Sequence, residues 1–477
     1  MRYLITTSIP YVNDKPHIGH LYEFILADIY ARYFRNDNEV FFLSGTDENG
    51  IKIAKSAIDQ KKDIKNFVDE NSQLFYQLKN DFNLSFDNFI RTSSEEHKKA
   101  VYKFWQLCQG DIYLDYYSGY YCYSCEAYYD EEDLPNLICP LHKKKLEKIE
   151  EKNYFFRLTK YLDQVKEIIE TDKVKIYPEE KKFEILNILK EGKIKDLSIS
   201  RDIKRSYGWG IPVLNDPTQI VYVWFDALVN YLSGLNFGNQ NETNFKKFWQ
   251  EGEVIHFIGK DIIKFHTIYW LAMLLSAKIK LPDKIVVHYF INVKGEKMSK
   301  TIGNVISPNE LLNYFQPEII RAYLAHQTIF NDWNFDFQNV INFQEGILKK
   351  ELGNLILRIF GLIKKGDEKI KLKENLLAEE NQKILNDFHQ AINNFEINLA
   401  YLRLFDLVKF LNQFIDREKI WQNLSEGNLS TLILNLIEIV KLYQPLMPEI
   451  FRNIKDKMII ENDYFINQKI NLNPIFN

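Results

Sequence analysis

The sequence predicts an α/β protein: a parallel sheet split by an insertion, followed by an α-helical bundle. Three observations carry this. The chain opens with a strand, helix, strand pattern. Residues 110–201 change in character and hold three of the four cysteines. From residue 343 onward the apolar residues keep helical spacing with few breakers.

Tyr3 to Ser8 reads as a strand, and Pro10 and Pro16 bracket a loop. From Ile18 the apolar residues fall at Leu21, Tyr22, Ile25, Leu26, Ile29, Tyr30 and Tyr33, one face of a helix. Val40 to Leu43 is a second short strand, closed by Ser44-Gly45-Thr46-Asp47. This βαβ unit, crossing over with the usual right hand, begins a parallel sheet. Glu95 and Glu96 start a helix on whose apolar side Cys108 falls, so Cys108 is expected as a packed core thiol. The inserted segment opens on Tyr-rich alternation, Tyr113 to Tyr129, and carries the charged run Lys143 to Lys152. Ile220–Trp224, Val254–Ile258 and Ile285–Ile291 then read as strands, with a helix over His266–Leu275. In the C-terminal part Leu348, Leu352, Leu355, Ile356, Ile359 and Phe360 form one stripe, ending near Gly366. Leu429 to Leu442 forms another, stopped by Pro445 and Pro448.

A chain of 477 residues is too long for one core and predicts two to four domains. Its formal net charge of −4 excludes a protein that coats nucleic acid by charge alone, so an RNA partner needs a local surface. No apolar run approaches the roughly 20 residues of a membrane span, and no signal pattern opens the chain. Four cysteines make no disulfide framework. The expected setting is the cytoplasm, with an organelle matrix as the alternative.

Two segments suit phosphate chemistry. His17-Ile18-Gly19-His20 lies where the first loop becomes the first helix, where free N–H groups and the positive helix end attract anions. Lys297-Met298-Ser299-Lys300-Thr301, entered through Gly295, offers two lysines and two hydroxyls to a leaving pyrophosphate whose charge grows in the transition state. A third constellation suits a metal. Cys122-x2-Cys125 and Cys139-x2-His142, with thirteen residues between the pairs, supply three thiolates and an imidazole. That set closes a tetrahedron around one Zn2+ and leaves no open position, which makes the metal structural.

The first two segments, in this order and about 280 residues apart, resemble the HIGH and KMSKS motifs of class I aminoacyl-tRNA synthetases, with Thr301 in place of the usual last serine. Ser8-Ile9-Pro10-Tyr11, Gly45-Thr46-Asp47-Glu48, Trp224-Phe225-Asp226-Ala227, and Gly259-Lys260-Asp261 followed by His266 and Trp270 narrow the resemblance to the methionyl-tRNA synthetases over nearly the whole chain. Two departures are visible: Leu228 replaces a proline common in some relatives, and Asn49 stands where histidine is frequent.

The resemblance implies a Rossmann-like catalytic domain in two halves, residues 1–109 and 202–293, and a zinc-knuckle insertion over 110–201. A KMSK loop and linking region at 294–342 and an anticodon-binding helical bundle at 343–477 follow. It assigns His17, His20, Lys297 and Lys300 to catalysis, and adds Gly19, Gly259, Asp261 and Ser299 to the ATP site. Asp47 pairs with the substrate ammonium, while Ile9, Tyr11, Trp224, Ala227, Tyr231, His266 and Trp270 enclose a thioether, which aromatic faces read better than hydrogen bonds do. Asn354, Arg358 and Trp421 read the anticodon. Asn and Arg meet base edges, and Trp stacks an unpaired base. The implied partners are L-methionine, ATP with Mg2+, and tRNA(Met), without membrane or DNA. No OB-like domain is visible after the bundle, and relatives without one tend to be monomers. The alternatives are a class I synthetase for another amino acid, whose editing insertion or substrate-binding zinc would differ, and an inactive tRNA-binding paralogue.

Overall fold

The structure is a computed structural model that describes the chain except residues 123–126, 130–136, 140–144, 299–302, 374, 471 and 477. It has two compact units. The first comprises Met1–Pro16, Phe34–Lys79 and Ser85–Val287, the second His17–Tyr33, Asn80–Leu84 and His288–Asn477.

The first unit opens with β1 (Arg2–Thr7), and its sheet continues through β2 (Glu39–Thr46) and β3 (Asn88–Arg91). Six strands lie in the order β3, β2, β1, Glu253–Gly259, Lys284–His288, Lys175–Tyr177. The pairings of β1 with β2 and with Glu253–Gly259, and of β2 with β3, are parallel. Strand order therefore reverses beside β1, and the loops at the carboxyl ends of β1 and Glu253–Gly259 flank the crevice where such sheets bind ligands. Gly45 is required by this sheet: a methyl there would lie 2.1 Å from the Ile90 carbonyl oxygen of β3. The helix Glu95–Leu107, capped by the Ser94 hydroxyl, packs Ala100, Val101 and Phe104 into the core. Cys108 follows it, 1% exposed, and burial pushes its thiol up to about 12, as befits an inert packed thiol.

The insertion is built on a long antiparallel pairing of Ile112–Cys122 with Glu147–Phe156. Two expected strands change identity. The segment at 220 forms the strand Asp216–Val221 of a small antiparallel sheet, and Val223–Leu228 is already helix. Apolar character without alternation marked a buried segment here, not a member of the parallel sheet. The Ile285–Ile291 segment breaks in two: Lys284–His288 stays in the parallel sheet and Ile291–Val293 joins a different one.

In the second unit α1 (Ile18–Arg35, its last two residues lying in the first unit) buries an unbroken run from Leu21 to Ala31. The bundle contains helices Asn354–Ile363, Ala378–Asn393, Ile397–Arg417, Glu426–Tyr443 and Pro448–Lys455. Its last helix begins on Pro448, whose missing N–H is harmless at a first turn. Helix is not its sole content, as the sequence pattern had suggested: Lys369–Lys371, Tyr464–Ile466 and Ile459–Glu461 form a small antiparallel sheet. Among the described residues no helix is long and apolar enough to cross a membrane.

Candidate functional site

The first group of candidate residues lies in the first unit, at the carboxyl ends of β1 and Glu253–Gly259. Ser8 N–H donates to the Phe257 carbonyl at 3.0 Å, so the chain leaves β1 still attached to its neighbour. The Asp47 N–H then donates to Pro10 O at 2.9 Å, and Val12 N–H to Asp47 O at 3.1 Å. These bonds hold the Ile9–Tyr11 segment beside Asp47. The Asp47 carboxylate, 3% exposed, accepts from the Asn49 N–H and the Thr92 hydroxyl, each at 3.3 Å. The next residue, Glu48, is fully buried and takes the Arg91 guanidinium in a two-pronged pair at 2.7 and 3.0 Å, which locks the turn carrying Asp47.

An aromatic wall stands in the same unit. Trp224 stacks on Phe265 with centroids 3.7 Å apart and planes within 6°, and meets the edges of Tyr11 and His266, each at 6.5 Å. Trp224, Tyr11 and Ile9 are partly exposed, whereas Ala227, Tyr231, His266 and Trp270 are buried. The His266 tautomer follows from its partners. Nδ1 lies 3.0 Å from the Ile262 carbonyl, which can only accept, so Nδ1 carries the proton. Nε2 then accepts from the Tyr231 hydroxyl at 2.7 Å. Burial lowers the His266 pKa to about 4, so the ring is neutral near pH 7. Behind it, His256 stacks on Tyr231 at 4.1 Å and accepts from Trp270 Nε1 at 3.4 Å, and Thr6 Oγ1 lies 2.7 Å from its Nδ1. Trp270 is fully buried. Phe265 and His256 were missed from sequence, since an aromatic in an apolar run carries no signal of what it stacks on. Gly259 ends its strand buried, and Asp261 is exposed on the short turn Lys260–Ile262.

A second group forms within the second unit. His17 and His20 stack with centroids 3.7 Å apart. The His17 N–H donates to His20 Nδ1 at 3.2 Å and the Gly19 N–H to His17 Nδ1 at 3.1 Å. With both Nδ1 atoms accepting, each neutral ring carries its proton on Nε2 and is a donor there. A methyl at Gly19 would lie 2.9 Å from the His17 ring, so glycine is needed for this stack. Ile291–Val293 and Glu296–Lys297 form a hairpin whose two-residue turn, Lys294 at φ 56° and Gly295 at φ 80°, has the left-handed backbone of a tight type I′ connection. Lys297 Nζ sits 3.9 Å from the Phe290 ring centroid. The chain then returns to the histidines: Ile18 N–H donates to Ile306 O at 3.0 Å, and the Met298 methyl lies 3.6 Å from where a Gly19 side chain would begin. Two segments far apart in sequence are thus held together. Ser299 and Lys300 lie outside the described residues.

Cys122 and Cys139 are both buried in one small cluster with Tyr120 and Leu146. Two thiols seventeen positions apart are brought into the same apolar patch. Cys125 and His142 lie outside the described residues, and among the described residues no group of three metal ligands occurs.

In the bundle, Asn354 and Arg358 follow one another at one turn's spacing on the helix Asn354–Ile363, Asn354 exposed. Arg358 donates to Asn412 at 3.0 Å and pairs with Asp416, both on the helix Ile397–Arg417. Trp421 lies in the turn after that helix and is 46% exposed. No described contact joins Trp421 directly to the other two.

Comparison with known proteins adds an independent line. Residues 3–145 and 125–360 match the family model for "tRNA synthetases class I (M)". The chain is 35% identical to a methionine–tRNA ligase of Thermotoga maritima, over 95% of this chain and 75% of that one. It is 36% identical to another from Rickettsia bellii, over 97% and 93%. It superposes on the Mycobacterium tuberculosis methionyl-tRNA synthetase in complex with methionyl-adenylate with a TM-score of 0.88 and 32% identity, covering 96% of this chain and 93% of that one.

Proposed function

This chain belongs to the class I methionyl-tRNA synthetases, and on that premise we propose how its residues divide the work. The enzyme activates L-methionine with ATP to methionyl-adenylate and pyrophosphate, then transfers methionine to the 3′ end of tRNA(Met). No protein nucleophile is needed. The methionine carboxylate oxygen attacks the α-phosphorus, the bond to the bridging oxygen breaks, and its electron pair leaves with pyrophosphate. Catalysis is therefore positioning and charge stabilisation.

Asp47 holds the substrate ammonium, its carboxylate kept in place by Thr92 and the Asn49 N–H. Ile9, Tyr11, Trp224, Ala227, Tyr231, His266 and Trp270 form the side-chain pocket. A neutral His266 whose Nε2 is already occupied by Tyr231 presents no charge to a thioether, which suits methionine over polar rivals. His17 and His20, through Nε2–H, and Lys297, Ser299 and Lys300 stabilise the phosphates, with Gly19 leaving room for the nucleotide. Gly259 and Asp261 hold its ribose side. Mg2+ bound with ATP supplies further charge neutralisation. Cys122, Cys125, Cys139 and His142 would hold one Zn2+ that pins the insertion and takes no part in the chemistry. The bundle, residues 343–477, reads the anticodon through Asn354, Arg358 and Trp421. The enzyme works as a cytoplasmic monomer, with neither membrane nor DNA among its partners.

The observation that most supports this division is the tie between the His17–His20 turn and the irregular segment that follows the KMSK residues, Ile18 N–H to Ile306 O. Pyrophosphate exchange run across a panel of amino acids tests the reading, and methionine alone should support it. Lys300→Ala should cut methionine-dependent exchange by orders of magnitude with methionine binding nearly intact, because its charge is needed most in the transition state. Near-normal exchange would remove Lys300 from the mechanism.

A further inference from the structure

Behind Asp47 runs a chain of buried polar groups, of which the assignments above use only the Thr92 hydroxyl and the Asn49 N–H. The Asn49 amide nitrogen donates to two acceptors at 3.1 Å each, the Thr92 carbonyl and Asp226 Oδ2. Thr92 is the residue whose hydroxyl also donates to Asp47. On its other oxygen Asp226 faces His97 Nε2 at 3.4 Å, and His97 Nδ1 lies 2.8 Å from the Ser233 hydroxyl. Asn49 is 3% exposed, and Thr92, His97 and Asp226 are fully buried. Asp226 stands between Trp224 and Ala227 on the helix Val223–Leu228, so anything that fixes its carboxylate fixes the turn presenting both pocket residues.

We propose that Asn49, Asp226 and His97 are positioning residues for methionine, a buried relay that holds the ammonium-binding carboxylate and the thioether-facing aromatic wall at a set spacing. A substrate read at both ends demands this. Charge at one end and shape at the other discriminate only if the distance between them is constant, and such constancy comes from locked supporting groups. The chain suits that task. A carboxylate removed from water must be fully partnered, and Asp226 has an amide on one oxygen and an imidazole on the other. Asn49 is the joint, because its two amide hydrogens serve the Asp47 side and the Trp224 side at once.

The role is one of geometry, and that makes it separable from charge. In Asp226→Asn every bond can survive: the new carbonyl accepts from Asn49, and the new amide donates to His97, which shifts its remaining proton to the Ser233 side. In Asp226→Ala and Asn49→Ala the bonds are lost. The proposal rests on Asp47 as the ammonium partner, so Asp47→Asn is measured alongside. In pyrophosphate exchange, Asn49→Ala and Asp226→Ala should raise the methionine KM about tenfold while the ATP KM stays within twofold, and Asp226→Asn should stay near wild type. Circular dichroism and thermal midpoints check folding, and if either alanine variant does not fold, His97→Gln, with the same expected KM split, takes its place. Methionine and ATP KM rising together, no change in methionine KM, or Asp226→Asn as impaired as Asp226→Ala would overturn the relay. An unchanged methionine KM in Asp47→Asn would instead overturn the ammonium assignment itself.

Discussion

Trp421 shows what a single side chain is worth. It is half-exposed in a turn, so truncating it removes little from any core. If it stacks an unpaired base, Trp421→Ala should raise the tRNA KM roughly ten- to hundredfold, about 1–3 kcal/mol. Methionine–ATP exchange without tRNA should barely change, and an unchanged tRNA KM in a folded variant would end the assignment. His266 makes a prediction of a different kind. Its ordinary pKa of 6.5 applies to the unfolded chain, while burial lowers the folded value to about 4. Between these values the unfolded state binds more protons, so stability falls as pH is lowered through the window. The thermal midpoint should therefore decline from pH 7 toward pH 5, and His266→Gln should show a shallower decline. Identical slopes would place the titration elsewhere. Both residues were singled out in the sequence by their match to positions of the family. Neither the exposure of the one nor the tautomer of the other was, because both depend on neighbours distant in the chain.

Among elements, the pairing of Ile112–Cys122 with Glu147–Phe156 stands on ten consecutive register partners, and among the described residues its tip packs small apolar clusters. A metal is the natural reinforcement for such an end. Purified protein should hold one zinc per chain, and Cys125→Ser should release it and speed proteolysis within the insertion. Metal analysis and limited digestion check this, and a zinc-free, stable, fully active wild type would refute it. Cys125 is preferred as the target because Cys122 and Cys139 are themselves packed, and replacing them would confound metal loss with lost contacts. Element identity was least legible where apolar runs lack alternation. The segments at 220 and 285–291 are apolar and short, and such runs do not reveal which sheet they join or where a helix begins. By contrast β1, α1 and β2 declared themselves, since two strands around one long helix of regular apolar spacing leave little choice.

At the scale of the molecule, a buried cation joins several segments of the second unit. Arg321 is fully buried and donates to Asp28 at 2.7 Å, to the Leu446, Pro445 and Phe82 carbonyls at 3.0, 2.9 and 3.2 Å, and so ties α1 to the end of the bundle. Asp28 also accepts from Arg32 at 2.8 Å. Removing Arg321 would leave three carbonyls and part of a buried carboxylate unserved, and breaking a buried pair costs about 3–5 kcal/mol. Arg321→Met should lower the urea midpoint markedly. Arg321→Lys should recover little of it, because one ammonium cannot reproduce a planar fork aimed at four acceptors. Full recovery by lysine would show that charge, rather than geometry, is what Arg321 supplies.

The sequence by itself determined the family. HIGH, KMSK, the Gly45–Glu48 turn and the Trp224–Ala227 turn are local strings whose order along the chain survives any detail of packing. It also determined the start of the parallel sheet, because periodicity is a local property. Tertiary structure alone decided which groups meet. Asn49 reaching Asp226, His97 facing the same carboxylate, and Arg321 gathering carbonyls from two other segments join positions separated by over a hundred residues. Each of these partners is an ordinary polar residue in its own stretch of chain. Only burial, which forces every such group to find a partner, turns them into a network.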